Sequence, residues 1–271
     1  MASTPARTAV RPALWLGLGL AALVAIAFGI RRERAPHGAP PGARDAHPYL
    51  ELRALRVPRP IAIDAEMDGK KVWESEIGST GNFKDSEGRG MVPYSEAKVR
   101  WSESTLYLWL YAGDLDLEGS VVEPDGPVTR DDSFHVELGN GGRVYAIDVS
   151  VLGTVADAVC TGTLGQDGPE RRCDPRWQSG AVVAVDRDGT LNHVGDNDEE
   201  WIVEMAIPLA SLGIPSASAG TRVPFAVRRC EIGKSGPHAC GGFGLGQPRG
   251  EIVFDPSPAE ASPLAAVAGG H

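Results

Sequence analysis

Acidic side chains crowd one stretch of the chain in a way that suits divalent-cation chemistry. The stretch contains seven carboxylates, at Asp114, Asp116, Glu118, Glu123, Asp125, Asp131 and Asp132. Calcium in proteins takes about six to eight oxygen ligands, commonly loop carboxylates and carbonyls. The spacing does not match a helix–loop–helix calcium loop. The stretch therefore predicts a calcium site, and the alternative interpretation is an acidic face exposed to water.

The four cysteines form two local pairs that suit disulfide chemistry. No Cys-x-x-Cys spacing occurs, which argues against a zinc ribbon and a thioredoxin-like motif. Each pair brackets a polar loop containing glycine and proline, and closing such a loop stabilises a fold by about 3 kcal/mol. Three connectivities are open, and we predict Cys160–Cys173 and Cys230–Cys240. Disulfides place the domain outside the cytoplasm, whereas four reduced thiols in the cytoplasm are the alternative.

Motifs for enzymatic chemistry are missing from the sequence. It contains no Gly-x-Ser-x-Gly and no His-Glu-x-x-His, and no carboxylate pair lies in a recognisable glycosidase motif. The glycine-rich stretch at 242–246 precedes no predicted helix, so it does not suit dinucleotide binding. We therefore predict that the chain is not an enzyme.

The elements that would position these residues begin after an unusual N-terminal region. Residues 1–12 are basic, and residues 13–30 form an uncharged apolar run of 18 residues, long enough to span a bilayer. Residues 31–48 are rich in proline, glycine and alanine and predict a flexible spacer. We predict a transmembrane anchor with the domain in the periplasm or at the cell surface. A signal peptide cleaved near Ala27, which would leave a secreted protein, is the alternative.

Charge separates the N-terminal region from the rest of the chain. Six arginines against two acids give residues 1–48 a net charge of +4, so the total of -10 leaves -14 on the remainder. Nucleic-acid binding requires positively charged side chains that neutralise phosphates, so we predict no nucleic-acid partner. An acidic domain remains compatible with cations and with neutral polar ligands.

Residues 49–255 alternate apolar and polar side chains with period two. The clearest hairpin joins 96–101 to 105–112, and the second of these strands has apolar side chains on both faces. Further alternating segments occur at 134–138, 145–151, 201–207, 223–227 and 252–254. Many short strands in one domain predict an antiparallel β-sandwich with immunoglobulin-like or jelly-roll-like layers. A closed barrel is the alternative, and residues 256–271 are predicted to be a flexible tail.

Four segments, in order, resemble the family 9 carbohydrate-binding modules. They are residues 61–68 followed by Trp73, residues 99–101 with 106–108 and 113–114, residues 131–137 with 145–149 and Gly153, and residues 201–208 with Leu212, Gly213 and Arg228-Arg229. Together they extend over residues 57–255. The resemblance implies a β-sandwich, exported and often holding structural calcium, that binds sugars without catalysis. Because Asp114 and Asp132 match aspartate positions of the family, we predict them as the calcium ligands.

The residues that clamp a sugar in this family are replaced in this sequence. In sugar-binding members, two tryptophans enclose a terminal sugar with help from a glutamate and an arginine. The corresponding positions here are Thr129, His135 and Asp148, and residues 241–252 contain no tryptophan. We therefore predict an altered ligand site formed by Trp177, Arg130, His135 and Asp148.

Three non-enzymatic functions remain open; a free-standing glycosidase, the fourth hypothesis, is disfavoured because no glycosidase motif occurs. The first is a membrane-tethered binding module for carbohydrate or a similar polar ligand. The second is a structural or partner-binding ectodomain with a degenerate sugar site, which the replaced clamp residues favour. The third is a haem b module that uses Met91, Met205 or His135 as axial ligands, and no matched axial pair can be placed for it.

Overall fold

The computed structural model describes residues 49–66, 70–165, 168, 170–193, 195–232 and 239–259. The predicted segments 1–12, 13–30 and 31–48, and the predicted tail from residue 260 onwards, lie outside these residues. No helix in the described ranges has the length and apolar character to cross a membrane. The described elements are strands and three short 3₁₀ helices.

Twelve strands form the body of the protein, as the period-two pattern predicts. They are β1 Tyr49–Arg56, β2 Ser95–Trp101, β3 Thr105–Gly113, β4 Ser133–Asn140, β5 Arg143–Ser150, β6 Val155–Thr161, β7 Arg172–Asp174, β8 Val182–Asp188, β9 Glu200–Pro208, β10 Arg222–Glu231, β11 Ala239–Phe243 and β12 Arg249–Pro258. The 3₁₀ helices are Lys71–Trp73, Val128–Arg130 and Leu209–Leu212. Strand β12 runs further at both ends than the predicted 252–254, because it stays paired with β1 along its length.

The strands follow one continuous path of hydrogen-bonded neighbours. The order is β7-β6-β5-β4-β10-β12-β1-β2-β3-β9-β8, with β11 added beside β10. Most pairs are antiparallel, but β1 is parallel to both β12 and β2. The sheet is therefore mixed, which corrects the predicted antiparallel sheet. No pairing joins β7 to β8 among the described residues, so the sheet is open rather than a closed barrel.

The two halves of this path pack face to face around one apolar core. Leu106 of β3, Ile147 of β5 and Val203 of β9 are fully buried in the same cluster. Across the core, the ring centroids of Phe134 and Trp201 are 4.8 Å apart. The alternation that the sequence shows therefore buries one face of each half against the other, as in a sandwich.

A segment of residues 57–66 and 70–79, here called the strap, covers the outer face of β2, β3 and β9. It packs a second apolar cluster there that includes Trp73, Tyr107 and Trp109. The buried Glu204 carboxylate on β9 accepts hydrogen bonds from Trp73 Nε1 at 2.9 Å and from the backbone N–H of Ala65 at 2.9 Å.

Arg100 on β2 also holds the strap to the sheet. Its guanidinium is buried and donates to the carbonyl oxygens of Val72, Ser75 and Ile77 at 2.7–2.9 Å. Because both faces of β3 are apolar, the sequence predicts that both are covered. The strap provides the cover on the outer face.

Candidate functional site

Both predicted disulfides are present. Cys160 pairs with Cys173 across β6 and β7, and Cys230 pairs with Cys240 across β10 and β11. Each disulfide closes a loop at the ends of adjacent antiparallel strands. No described cysteine is free, so the pairing predicted from local spacing is confirmed.

The predicted calcium ligands Asp114 and Asp132 are both buried beside Arg229. Arg229 donates to Asp114 Oδ2 at 2.7 Å, and both side chains are fully buried. The two oxygens of Asp132 accept the backbone N–H groups of Glu118 and Ile232, each at 2.7 Å. Burial, followed by the charge of Asp114, raises the pKa of Asp132 to about 8.

These contacts do not fit a calcium ion. Among the described residues, no group of three or more His, Cys, Asp or Glu side chains is placed to hold a metal. A guanidinium already neutralises Asp114, and Asp132 directs both oxygens at backbone donors. Calcium binding by Asp114 and Asp132 stays a prediction that these contacts do not support.

The structure brings His135 and Asp148 together on the outer face of β4 and β5. They are opposite each other in the strand register, and His135 Nδ1 donates to Asp148 Oδ1 at 2.7 Å. The other ring nitrogen lies 3.0 Å from Glu137 Oε1. Burial lowers the pKa of His135, but its hydrogen bonds with Asp148 and Glu137 outweigh that effect and raise the pKa to about 9. At neutral pH the imidazole is therefore charged and lies between two carboxylates.

A loop anchored by the Cys160–Cys173 disulfide reaches over the same face. Arg171 Nη2 lies 2.6 Å from Glu137 Oε1, and the backbone N–H of Gly165 donates to the other Glu137 oxygen. Leu164 of this loop packs with Ala146 and Ala226, the neighbours of Glu137 on β5 and β10. The chain's own loop thus covers the row of the sheet next to His135.

The charged imidazole of His135 between Asp148 and Glu137 predicts that the stability of the fold depends on pH. Because the folded pKa of His135 is about 9 against an ordinary value of 6.5, its contribution is complete below pH 6.5 and is lost as the pH rises through 9. The difference corresponds to roughly 3 kcal/mol at most. In urea unfolding, the stability gap between the wild-type chain and His135→Gln should be large near pH 6 and small near pH 10. A stability difference between the two proteins that does not change with pH would contradict a raised pKa of His135.

The other two predicted ligand residues lie elsewhere. Trp177 is partly buried against the core, with its ring centroid 5.2 Å from that of Tyr145. Tyr145 and Asp148 project from opposite faces of β5, so Trp177 does not share a site with Asp148. Arg130 is exposed at the end of the 3₁₀ helix Val128–Arg130. Ligand binding by these residues stays a prediction.

An aromatic surface that the prediction of the site omitted lies on the other half of the sheet. Tyr94, just before β2, is 43% exposed, and its ring centroid is 6.1 Å from that of Tyr111 on β3. Glu96 is opposite Tyr111 in the register, and Glu200 accepts the Tyr111 hydroxyl. The sequence signal is the alternation of Tyr107, Trp109 and Tyr111, which does not by itself show which ring stays exposed.

The fold of this chain is similar to that of solved structures. A “putative carbohydrate-binding protein” from Bacteroides uniformis ATCC 8492 matches with a TM-score of 0.53 and 14% identity, over 76% of this chain and 99% of that chain. This chain shares the fold of that protein. The resemblance stated from the four sequence segments is thereby confirmed at the level of the fold.

Two further solved structures match this chain with lower TM-scores. A family 9 carbohydrate-binding module from Caldicellulosiruptor kristjanssonii, in complex with cellotriose, matches with a TM-score of 0.49 and 15% identity, over 82% of this chain and 100% of that chain. Its complex with glucose matches with a TM-score of 0.48 and 16% identity, over 78% and 100%. No protein-family model and no curated protein matches this chain.

Proposed function

We propose that this chain is a non-catalytic binding module for carbohydrate. The observation that carries the proposal is the fold that it shares, over three quarters of its length, with a protein described as carbohydrate-binding. The surface chemistry agrees, since an exposed aromatic ring beside carboxylates is suited to the apolar face and the hydroxyl groups of a sugar.

We also propose that the module is exported and tethered. Two disulfides support an oxidising compartment, and residues 13–30 have the length of a membrane anchor. Release after cleavage near Ala27 is the alternative to a retained anchor.

A second candidate is a structural or partner-binding ectodomain. It is favoured by His135 and Asp148, which take the places of sugar contacts in the resemblance and bond to each other in this structure. For a haem module, both His135 nitrogens already meet carboxylates, and Met205 is fully buried in the core. These contacts give haem no support.

The proposal is tested by binding of the purified full-length chain to a glycan array that carries neutral, uronic and sialylated glycans. We expect saturable binding to at least one glycan class, followed by a measurable dissociation constant in calorimetric titration. Absence of binding to every class would contradict the carbohydrate function and leave the partner-binding ectodomain.

A further inference from the structure

Two tyrosine rings form an exposed aromatic surface where the strap ends. On the outer face of β3, the strap buries Tyr107 and Trp109 and leaves Tyr111 only partly covered. Tyr94 extends this row towards solvent, and its ring is inclined at 57° to that of Tyr111. The rings therefore present an angled aromatic surface rather than one flat plane.

Packing beneath the surface holds both rings in place. Tyr111 stacks on Trp109 with centroids 5.8 Å apart and an interplanar angle of 25°. The backbone N–H of Gly113 donates to the Tyr94 carbonyl oxygen at 2.8 Å. A Cβ at Gly113 would lie 3.2 Å from the Cβ of Pro93, so the absence of a side chain lets the segment before β2 approach β3. A ligand would meet rings that are already positioned, which reduces the entropy lost on binding.

Two carboxylates lie beside the rings, that of Glu96 largely buried and that of Glu200 half-buried, and both supply hydrogen-bond acceptors. Glu96 accepts the Ser79 hydroxyl at 2.7 Å through one oxygen, and a carboxylate offers further lone pairs to other donors. Glu200 Oε2 accepts the Tyr111 hydroxyl, and Glu200 Oε1 makes no hydrogen bond or ion pair among the described residues. The nearby cation Lys98 already donates to Glu76 and to the Trp73 carbonyl oxygen.

We propose that Tyr94 and Tyr111, with Glu96 and Glu200, form the saccharide-binding surface of this chain, and that the surface takes neutral pyranosides. This inference rests on the proposed carbohydrate function. The apolar C–H face of a pyranose packs on an aromatic ring, and its hydroxyl groups donate to carboxylates. Uronic and sialic acids are disfavoured, because their charge would be placed beside carboxylates of the same sign.

The opposite half of the sheet is a poorer place for a sugar. There, both His135 nitrogens have carboxylate partners, and the loop containing Leu164 covers the adjacent row. A sugar at that position would have to displace existing hydrogen bonds, whereas the exposed ring of Tyr94 is accessible without such loss.

Calorimetric titration of the full-length chain with the array-selected glycan tests the location. Tyr94→Ala removes the exposed ring, and we expect it to weaken binding about 10-fold or more. Tyr94→Phe keeps the ring and should stay within about 3-fold of the wild-type affinity. Arg143→Ala, on an exposed residue at the start of β5 in the other half of the sheet, is the matched control and should leave affinity unchanged. Thermal melting confirms that each variant is folded.

A second measurement needs no substitution. The chain has five tyrosines, so ¹³C-tyrosine labelling gives a simple aromatic spectrum of the wild-type protein. Saturating glycan should shift the Tyr94 and Tyr111 resonances and leave that of Tyr145, on the other half of the sheet, in place. Unchanged affinity in folded Tyr94→Ala, or shifts confined to Tyr145, would overturn the location while leaving the carbohydrate function intact. Selection of acidic glycans alone would overturn the ligand class, and no glycan binding by the wild-type chain would remove the function and the inference together.

Discussion

Replacing Glu204 with glutamine is expected to lower the free energy of unfolding by about 3–5 kcal/mol. The Glu204 carboxylate is fully buried and receives the Trp73 indole N–H, the backbone N–H of Ala65 and the ammonium of Lys70. A glutamine amide carries an NH₂ that would face these donors, and it leaves the partly buried Lys70 with only the exposed Asp64 carboxylate as counter-charge. Urea unfolding at neutral pH measures the loss.

Glu199→Gln is the matched control for this substitution. Glu199 immediately precedes β9 and is exposed, so its replacement should change the free energy of unfolding by less than about 0.5 kcal/mol. If Glu204→Gln lowered the free energy of unfolding no more than Glu199→Gln does, then Glu204 would not be the residue that holds the strap to the sheet.

Replacing Arg229 with methionine is expected to cost a similar amount, about 3–5 kcal/mol at neutral pH. The substitution removes the buried cation beside Asp114 and leaves that carboxylate near Asp132 and Glu231. Burial raises the pKa of all three carboxyl groups in the native protein, and loss of the guanidinium raises them further. The folded variant therefore binds protons more tightly than the unfolded chain, and its stability must rise as the pH falls.

Unfolding of Arg229→Met at about pH 5 and pH 7 separates this electrostatic cause from lost packing. We expect the loss relative to wild type to be clearly smaller at pH 5. Arg176→Met serves as the control, because Arg176 is largely exposed beside Asp174 and solvent screens their interaction, so stability should change little at either pH. A loss that is the same at both pH values would show that Arg229 acts through packing alone.

Much of the fold follows from local sequence signals. The alternation in β3 places Leu106 in the core and Trp109 in the second apolar cluster, because successive side chains of a strand point to opposite faces. The two disulfides follow for the same local reason, since each joins the ends of adjacent strands across a short polar loop.

Strand direction and long-range pairing do not follow from such patterns. The alternation is the same whether a neighbour runs parallel or antiparallel, so the parallel pairing of β1 with β12 could not be predicted from it. Pairing also depends on residues far apart in sequence. Asp114 and Arg229 are 115 positions apart in the sequence, and nothing in that separation indicates that a guanidinium neutralises Asp114.

The contacts within the candidate site also could not be predicted from local sequence patterns. The sequence marks His135 and Asp148 as departures from a sugar-binding pattern, but the register that makes them partners appears only in the structure. Tyr94 and Tyr111 are separated along the chain and meet only because β2 and β3 pair, while the strap decides which of the aromatic rings remains exposed.

A crystal structure of the full-length chain bound to its array-selected neutral glycan tests the central claim most directly. We expect a pyranose ring packed on Tyr94, with hydroxyl groups within hydrogen-bond distance of Glu96 or Glu200. A sugar bound instead beside His135 and Asp148, with the Tyr94 ring bare, would contradict that claim.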